Sequence, residues 1–185
     1  MESNSDNALM LQVKAGDLDK LGLLFERYNR KLYNYFYRLT YRRDVSQDLV
    51  QSVFERIIKY RHTYSDEGAF STWIYQIARN LQIDHHHKNE KEADDELIDF
   101  EQLKDAEDES NAIPDHELKL LKKAIEKLDA DKKETLILSR YQGFKYKEIA
   151  EIMDCSVSAV KVRIFRAINE LKETITELRK QTDYD

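Results

Sequence analysis

Residues 70–80, FSTWIYQIARN, bring aromatic, amide and guanidinium side chains together in one short stretch. On a helix, the face opposite the apolar stripe would carry groups that stack on bases or hydrogen-bond to them: Thr72, Tyr75, Gln76, Arg79 and Asn80. Single-stranded DNA presents its base faces to such groups, whereas a duplex hides them. The preceding loop, residues 62–68, could close over an extruded base. A role in the hydrophobic core is an equally good interpretation of the aromatic cluster.

Residues 145–172 predict a helix-turn-helix. KYKEIAEIM forms a short helix, DCS a tight connection, and SVSAVKVRIFRAINELK a longer helix with Ser156 as its N-cap. The longer helix has an apolar stripe that should face inward: Val157, Val160, Ile164, Ala167, Ile168 and Leu171. Its remaining early surface is Ser158, Lys161, Val162, Phe165 and Arg166, with Arg163 beside it. This surface fits a major groove, since Lys and Arg meet phosphates and reach guanine O6 and N7. The alternative is a three-helix core with a solvated basic face.

Three consecutive histidines, His85, His86 and His87, suggest a metal site that helical geometry disfavours. Neighbouring residues on a helix point about 100° apart, so three in a row cannot readily share one ion. No cysteine or carboxylate spacing supports a zinc site either. We therefore expect no metal, no cofactor and no catalytic residues, and a protein that is not an enzyme. A metal-dependent enzyme that uses these histidines is a rival hypothesis.

The elements that carry these motifs are predicted to be helices. Glycine (4) and proline (1) are scarce in the 185 residues, which disfavours a turn-rich β protein. Apolar residues at steps of three and four predict two long helices, with Leu21, Leu24, Phe25, Tyr28, Leu32, Tyr35, Phe36 and Leu39 in the first and Val45, Leu49, Val53, Phe54, Ile57 and Ile58 in the second. Asp44 is the expected N-cap of the second helix, and Asp131 with Glu134 resembles a capping box further on. The predicted fold class is all-α.

The charge distribution predicts two domains and a linker. Residues 90–117 contain 13 acidic and 2 basic residues, a net charge of −11, although the whole chain carries only −6. The remainder is therefore basic, which suggests polyanion binding at two places. We expect a helical domain at 1–89, an acidic flexible linker at 90–114 and a helix-turn-helix domain at 115–185.

The sequence contains no predicted membrane or export signal. No long apolar run indicates a transmembrane helix, and MESNSDNALM lacks the basic and apolar regions of a signal peptide. The single cysteine, Cys155, cannot form an intrachain disulfide. We expect a soluble, cytoplasmic protein without membrane insertion.

In this order the motifs resemble those of a bacterial RNA polymerase sigma factor of the extracytoplasmic-function group, within the sigma-70 superfamily. DVSQDLVQSVFERI (44–57) resembles the segment that docks on the polymerase clamp helices. FSTWIYQIARNLQID (70–84) resembles the segment that melts and reads the −10 element. GFKYKEIAEIMDCSVSAVKVRIFRA (143–167) resembles the −35-reading helix-turn-helix. The resemblance covers nearly the whole chain.

The resemblance implies a detachable subunit that binds core RNA polymerase and directs promoter-specific initiation. It would read the −10 element as melted non-template strand and the −35 element as duplex. Polymerase docking would use Asp44, Asp48, Gln51 and Phe54. The −10 contacts would be Arg56, Lys59, Arg61, Tyr64, Tyr75, Arg79 and Asn80, with residues 62–68 and Asn80 forming a pocket for a flipped base. The −35 contacts would be Ser158, Lys161, Arg163, Phe165 and Arg166.

The resemblance also implies partners, and the sequence departs from the family at two positions. The expected partners are core RNA polymerase, promoter DNA and an anti-sigma factor. Lys145 stands where the family usually has Ser or Thr, and Val162 stands where a small polar residue is common. The −35 sequence of relatives therefore does not transfer. A stand-alone helix-turn-helix transcriptional regulator, with residues 1–89 as a dimerisation or sensor domain, is the other reading of the same motifs.

Overall fold

The computed structural model describes residues 5–89 and 115–182, which form helices and connecting turns without a β-strand in either range. The chain divides into two compact units. The first contains α1 (Asp6–Lys14), α2 (Asp19–Thr40), α3 (Arg43–Tyr60), a 3₁₀ turn (Arg61–Thr63) and α4 (Phe70–Asn89). The predicted all-α class with two helical parts is confirmed. The predicted acidic linker, residues 90–114, lies outside the described residues.

The first unit is held together by α2, whose apolar stripe packs against α1 and α3. Leu24, Leu32 and Phe36 on this stripe have no solvent exposure. Burying side chains of this size stabilises the unit by about 1.5–3 kcal/mol each. The helix ends at Tyr41, which adopts a left-handed conformation with φ of 55° and donates its N–H to the Tyr37 carbonyl.

The second unit contains α5 (Asp115–Glu126), α6 (Ala130–Leu136), a π-helical turn (Ile137–Tyr141), α7 (Tyr146–Ile152) and α8 (Val157–Thr182). Its α8 packs against α5 and α6. The buried apolar core includes side chains from α5, α7, α8 and the π turn: Leu120, Ala124, Ile137, Leu138, Ile149, Val160, Ile164 and Ala167. The predicted inward stripe of α8 is confirmed at Val160, Ile164 and Ala167, whereas Val157 is exposed in the first turn.

The helix caps agree with the sequence in one case and differ in two. Ser156 caps α8, because its Oγ accepts the N–H of Ala159 at 3.1 Å. Asp44 lies inside the first turn of α3 and does not cap it, since the helix begins one residue earlier. Asp129 caps α6 by accepting the N–H of Lys132 at 2.9 Å, so the expected capping box at Asp131 is wrong.

The connection between α7 and α8 is a tight turn, as expected for a helix-turn-helix. Asp154 adopts a left-handed conformation with φ of 48°, which aspartate tolerates better than most residues. The N–H of Cys155 then donates to the Ala150 carbonyl at 2.9 Å. At the start of α7, the Glu148 carboxylate accepts the backbone N–H of Lys145 at 2.7 Å. This bond satisfies a free backbone N–H at the helix start, although the Lys145 side chain cannot act as an N-cap.

Candidate nucleic-acid and protein interfaces

The outward face predicted for α4 is partly buried: Thr72 and Tyr75 are buried, Gln76 and Arg79 are half-buried and Asn80 is exposed. The Tyr75 side chain is 1% exposed and its ring makes an edge contact with Tyr35 at 5.3 Å. Burial raises the pKa of the Tyr75 phenol. The expectation that Tyr75 stacks on a DNA base is therefore wrong for this conformation. The physical reason is that α4 packs against α1, α2 and α3, so the covered surface is wider than one apolar stripe.

Tyr64 is the second predicted base contact that lies in the core. Its ring makes edge contacts with Trp73 at 5.0 Å and with Phe70 at 6.2 Å. Burial raises the pKa of its phenol to about 12. Tyr64 therefore anchors the loop between α3 and α4 to the start of α4, and its ring is not available for stacking on a base.

The remaining −10 candidates lie along α3 and α4 with different exposures. Asn80 and Lys59 are exposed, whereas Arg79 and Arg61 are half-buried. Arg61 donates to the Ile58 carbonyl at 2.6 Å. Lys59, Arg61 and Arg79 can pair with the phosphates of an unpaired strand, and the Asn80 amide can hydrogen-bond to a base.

An ion pair sets how α3 and α4 run past each other. Arg56 contacts Asp84 at 2.8 Å, so the last turns of α3 lie beside the second half of α4. Residues 61–69 must then run back along the first half of α4 to reach Phe70. Asn80 lies about ten residues, or roughly 15 Å, along α4 from that start. The loop and Asn80 can therefore border one strip of surface. Their joint pocket for a base stays a prediction.

A groove of about 760 Å³ lies between α2 and α3. It is lined by the apolar side chains Phe25, Tyr33, Val50, Phe54 and Ile58 and by the polar side chains Asn29, Arg30, Gln47, Gln51 and Glu55. Phe25 is 44% exposed and its ring contacts Phe54 at 4.8 Å. The sequence placed Phe25 and Ile58 in the core, which is wrong, because both lie at the edge of their stripes and no helix among residues 5–89 covers them.

Two of the four predicted docking residues line this groove. Gln51 and Phe54 do, while the exposed Asp44 and Asp48 are not part of its lining. At about 100° per residue, Asp48 is turned roughly 60° away from Gln51 on the helix surface. Asp44 pairs with Arg42 at 2.9 Å, and this hydrogen bond lowers the pKa of its carboxyl. The groove itself was not predicted from the sequence, and its lining includes Gln51 and Phe54 but neither Asp44 nor Asp48.

The outward surface of α8 is built as the sequence predicted, with one exception. Ser158, Lys161, Val162, Phe165 and Arg166 are all exposed, and Phe165 reaches 67%. Arg163 lies on another side of the helix, where its guanidinium contacts Asp131 at 2.9 Å and the Cys155 sulfur at 3.5 Å. In this structure Arg163 ties α8 to α6, and its predicted DNA contact stays a prediction.

The described parts of the chain also bear on the metal and membrane predictions. Within residues 5–89 and 115–182, no group of three or more His, Cys, Asp or Glu side chains could hold a metal ion. The rings of His86 and His87 lie 6.4 Å apart and nearly perpendicular. Over the same ranges, no helix is both long and apolar enough to cross a membrane.

Comparison with known proteins places both units in one family. Residues 24–92 match the model of sigma-70 region 2, and residues 118–171 match that of sigma-70 region 4. The ECF RNA polymerase sigma-E factor of Haemophilus influenzae is 32% identical over 96% of this chain and 98% of its own length. The sigma-E factor of Escherichia coli K12 is 30% identical over 96% and 97%, and the sigma-H factor of Pseudomonas aeruginosa is 26% identical over 98% and 99%.

Solved structures share the fold. CnrH, in complex with the cytosolic domain of CnrY, matches with a TM-score of 0.71 at 22% identity over 93% of this chain and 97% of its own. The sigma factor RpoE of Bartonella quintana, in complex with the anti-sigma factor NepR, matches with 0.66 at 23% identity over 84% and 96%. The region 2 and region 4 matches and the 32% identity to the Haemophilus influenzae sigma-E factor show that the chain belongs to the extracytoplasmic-function sigma factors and directs RNA polymerase to promoters.

Proposed function

We propose that the two units read promoter DNA in two different states. The domain at 1–89 docks on core polymerase and holds the melted non-template strand of the −10 element. The domain at 115–185 reads the −35 element as duplex, and the acidic segment 90–114 joins them. The protein supplies no catalytic residue of its own and works in the cytoplasm, where the polymerase is.

The exposed row on α8 is the observation that carries this proposal. Lys161 and Arg166 place two cations on the same surface as Phe165 and Val162, and Ser156 leaves the helix N-terminus capped but solvent-facing. A helix with cations and apolar groups on its first three turns fits a major groove, because phosphates, guanine edges and thymine methyl groups are all within reach there.

The groove between α2 and α3 is the proposed contact with core polymerase. Its apolar lining includes the exposed side chains of Phe25 and Ile58. Exposed apolar patches of this kind commonly mark protein–protein contact sites. Gln51 and Glu55, which hydrogen-bond to each other at 3.0 Å, lie at the same groove and can pair with polar groups of a partner. A packed apolar centre with a polar rim is the usual anatomy of a protein interface.

The loop 61–69 and Asn80 are the proposed contact with the melted strand. Residues 65–69 are exposed although Tyr64 and Phe70 on either side are buried, so the loop is anchored at its ends and open between them. Lys59 and Arg61 stand next to it and can neutralise phosphates. With Tyr64 and Tyr75 in the core, base selection here depends on hydrogen bonding from Asn80 and the loop backbone.

An anti-sigma factor is a further proposed partner. Both solved relatives described above were captured with a protein bound, one of them with an anti-sigma factor. A partner that covers the α2–α3 groove would compete directly with core polymerase, since the same apolar side chains serve both contacts.

Gel-shift titrations with promoter duplex, in the presence and absence of core polymerase, test the proposal. We expect weak and poorly selective binding by the protein alone and tight, promoter-dependent binding with core enzyme added. Tight binding of a symmetric site by the protein alone would instead favour a stand-alone helix-turn-helix regulator.

A further inference from the structure

Asn7 on the first helix contacts three positions in and just after the loop at residues 61–69. Its amide nitrogen donates to the Asp66 carboxylate at 2.7 Å and to the Gly68 carbonyl at 2.8 Å. Its amide oxygen accepts the backbone N–H of Phe70 at 2.9 Å. All three partners are about 60 residues away in sequence. The Asn7 amide therefore donates two hydrogen bonds and accepts one within a single five-residue segment, residues 66–70.

The contact with Phe70 acts as a helix cap supplied from a distance. Phe70 is the first residue of α4, where backbone N–H groups have no partner within the helix. An Asn side chain normally caps its own helix, two or three residues before the group it satisfies. Here the cap comes from α1, so Asn7 holds both the start of α4 and the loop before it.

A second tie from α1 fixes the other end of the loop. Lys14 donates to the Tyr64 carbonyl at 2.6 Å, while the Tyr64 ring is buried against Trp73. The loop is thus fixed at Tyr64, Asp66 and Gly68. Ser65 and Glu67 lie between these points and are exposed. This arrangement sets the loop backbone in one conformation while leaving its outer surface free.

We propose that Asn7 is a positioning residue for promoter opening, because it sets the shape of the loop that receives the extruded −10 base. The inference rests on the proposed role of that loop. Asn7 acts through Asp66 and Gly68 and does not itself meet DNA. Loss of its two donated hydrogen bonds leaves the loop in several conformations, and only a fraction of them can accept a base, which weakens capture in proportion.

Asn7→Asp separates the two tasks of the side chain. A carboxylate at this position can still accept the Phe70 N–H, so the cap on α4 is retained. It cannot donate, and it places a negative charge against Asp66. The reciprocal double variant Asn7→Asp/Asp66→Asn returns one donor–acceptor pair with its direction reversed. Asp6→Ala is the matched control, because the hydrogen bonds of Asp6 go to Arg27 and Tyr28 on α2.

The measurement is selection by reconstituted holoenzyme from a library randomised over the −10 element, with core affinity and Trp73 fluorescence as parallel readouts. We expect Asn7→Asp to reduce selectivity at one −10 position by roughly tenfold, with core affinity unchanged. The double variant should regain part of that selectivity, and Asp6→Ala should keep it. Unchanged selectivity in Asn7→Asp would overturn the inference, and so would a loss matched by an equal loss of core affinity.

A loop variant distinguishes failure of this inference from failure of the proposed function. Ser65→Gly/Glu67→Gly alters the exposed part of the loop directly and leaves the Asn7 contacts in place. Altered selectivity in this variant with none in Asn7→Asp would remove only the role of Asn7. Unaltered selectivity in both would remove the loop from −10 recognition altogether.

Discussion

The two units differ in how they hold the surface proposed to meet DNA. In the second unit that surface is one side of α8, and each of its side chains is positioned by its place on a single regular helix. In the first unit it is a loop held by Asn7 and Lys14 from a helix about 50–60 residues earlier. The α8 surface is therefore formed by one continuous segment, whereas the loop surface depends on tertiary contacts with α1.

This difference matches what each DNA state demands. A duplex groove has a regular shape, and a rigid helix fits it without a pocket. An extruded base needs a cavity with a fixed outline, which a loop provides only when other elements fix its backbone. Substitutions on α8 should therefore act individually on base preference, whereas substitutions at the contacts of α1 should act on the loop as a whole.

The largest effect is expected at the α2–α3 groove. Phe25→Ala removes an exposed ring that contacts Phe54 without opening the core, so we expect core polymerase affinity to fall roughly 30-fold or more. Fluorescence anisotropy with labelled protein and purified core enzyme measures it. Leu23→Ala, exposed on the same helix but not part of the groove lining, is the control. Equal affinities for the two variants would remove the groove from docking.

Arg166→Ala and Arg163→Ala form a pair that tests the α8 surface. Arg166 faces outward, so its loss should weaken −35-dependent initiation by roughly tenfold. Arg163 pairs with Asp131, and its loss should cost about 0–1 kcal/mol of stability with no change in −35 base preference. Run-off transcription on promoters with and without a −35 element gives both comparisons. A change of base preference in Arg163→Ala would contradict a purely structural role for the Arg163–Asp131 pair.

Alkaline pH should change the folding stability of the two units in opposite directions. Burial lowers the pKa of Lys133 in the second unit to about 8 from 10.5, so between these values the unfolded state binds more protons and stability rises with pH. In the first unit burial raises the pKa of Tyr64 to about 12 from 10.0 and also raises those of Tyr28 and Tyr75. There the folded state holds more protons, and stability is lost as pH rises above 10.

Urea unfolding at several pH values resolves the two responses. Fluorescence of Trp73, the chain's single tryptophan, reports on the first unit, and methyl NMR of Ile149 and Ile164 reports on the second. We expect the second unit to gain about 1–3 kcal/mol between pH 8 and 10. Lys133→Met should abolish that gain and raise stability at pH 7. A flat profile in the wild-type second unit would show that Lys133 is solvated.

The smallest effect concerns Val162, which is 46% exposed near the centre of the α8 surface. An apolar side chain there favours a thymine methyl group over a polar base edge. Replacing the facing thymine by uracil removes only that methyl, and we expect a loss of roughly three- to fivefold in binding by holoenzyme. In Val162→Ser, holoenzyme should bind the thymine and uracil promoters with equal affinity. Uniform tolerance of uracil at every −35 thymine would contradict an apolar readout.

The sequence predicts local features well and tertiary ones poorly. The helix-turn-helix, its Ser156 cap and the outward row of α8 follow from steps of three and four along one segment. Tyr75 was misplaced because periodicity does not reveal how many helices cover α4. Phe25 was misplaced for the opposite reason, since no neighbour covers the edge of its stripe.

The contacts of Asn7 could not be predicted from the sequence at all. Its partners at Asp66, Gly68 and Phe70 are brought to it only when α1 packs against the unit, and no local pattern records that packing. The same holds for Arg163, whose partner Asp131 lies on a different helix. Polar side chains that link distant segments carry no periodic signal.

Binding of holoenzyme to partly unpaired promoters tests the central claim most directly. One set of templates carries a −10 bubble in which either the non-template or the template strand is altered, and a second set carries an unpaired −35 element. We predict that only non-template changes in the bubble alter affinity and that unpairing the −35 element abolishes its contribution. Equal sensitivity to both bubble strands, or full recognition of a single-stranded −35 element, would contradict the assignment of two DNA states to two units.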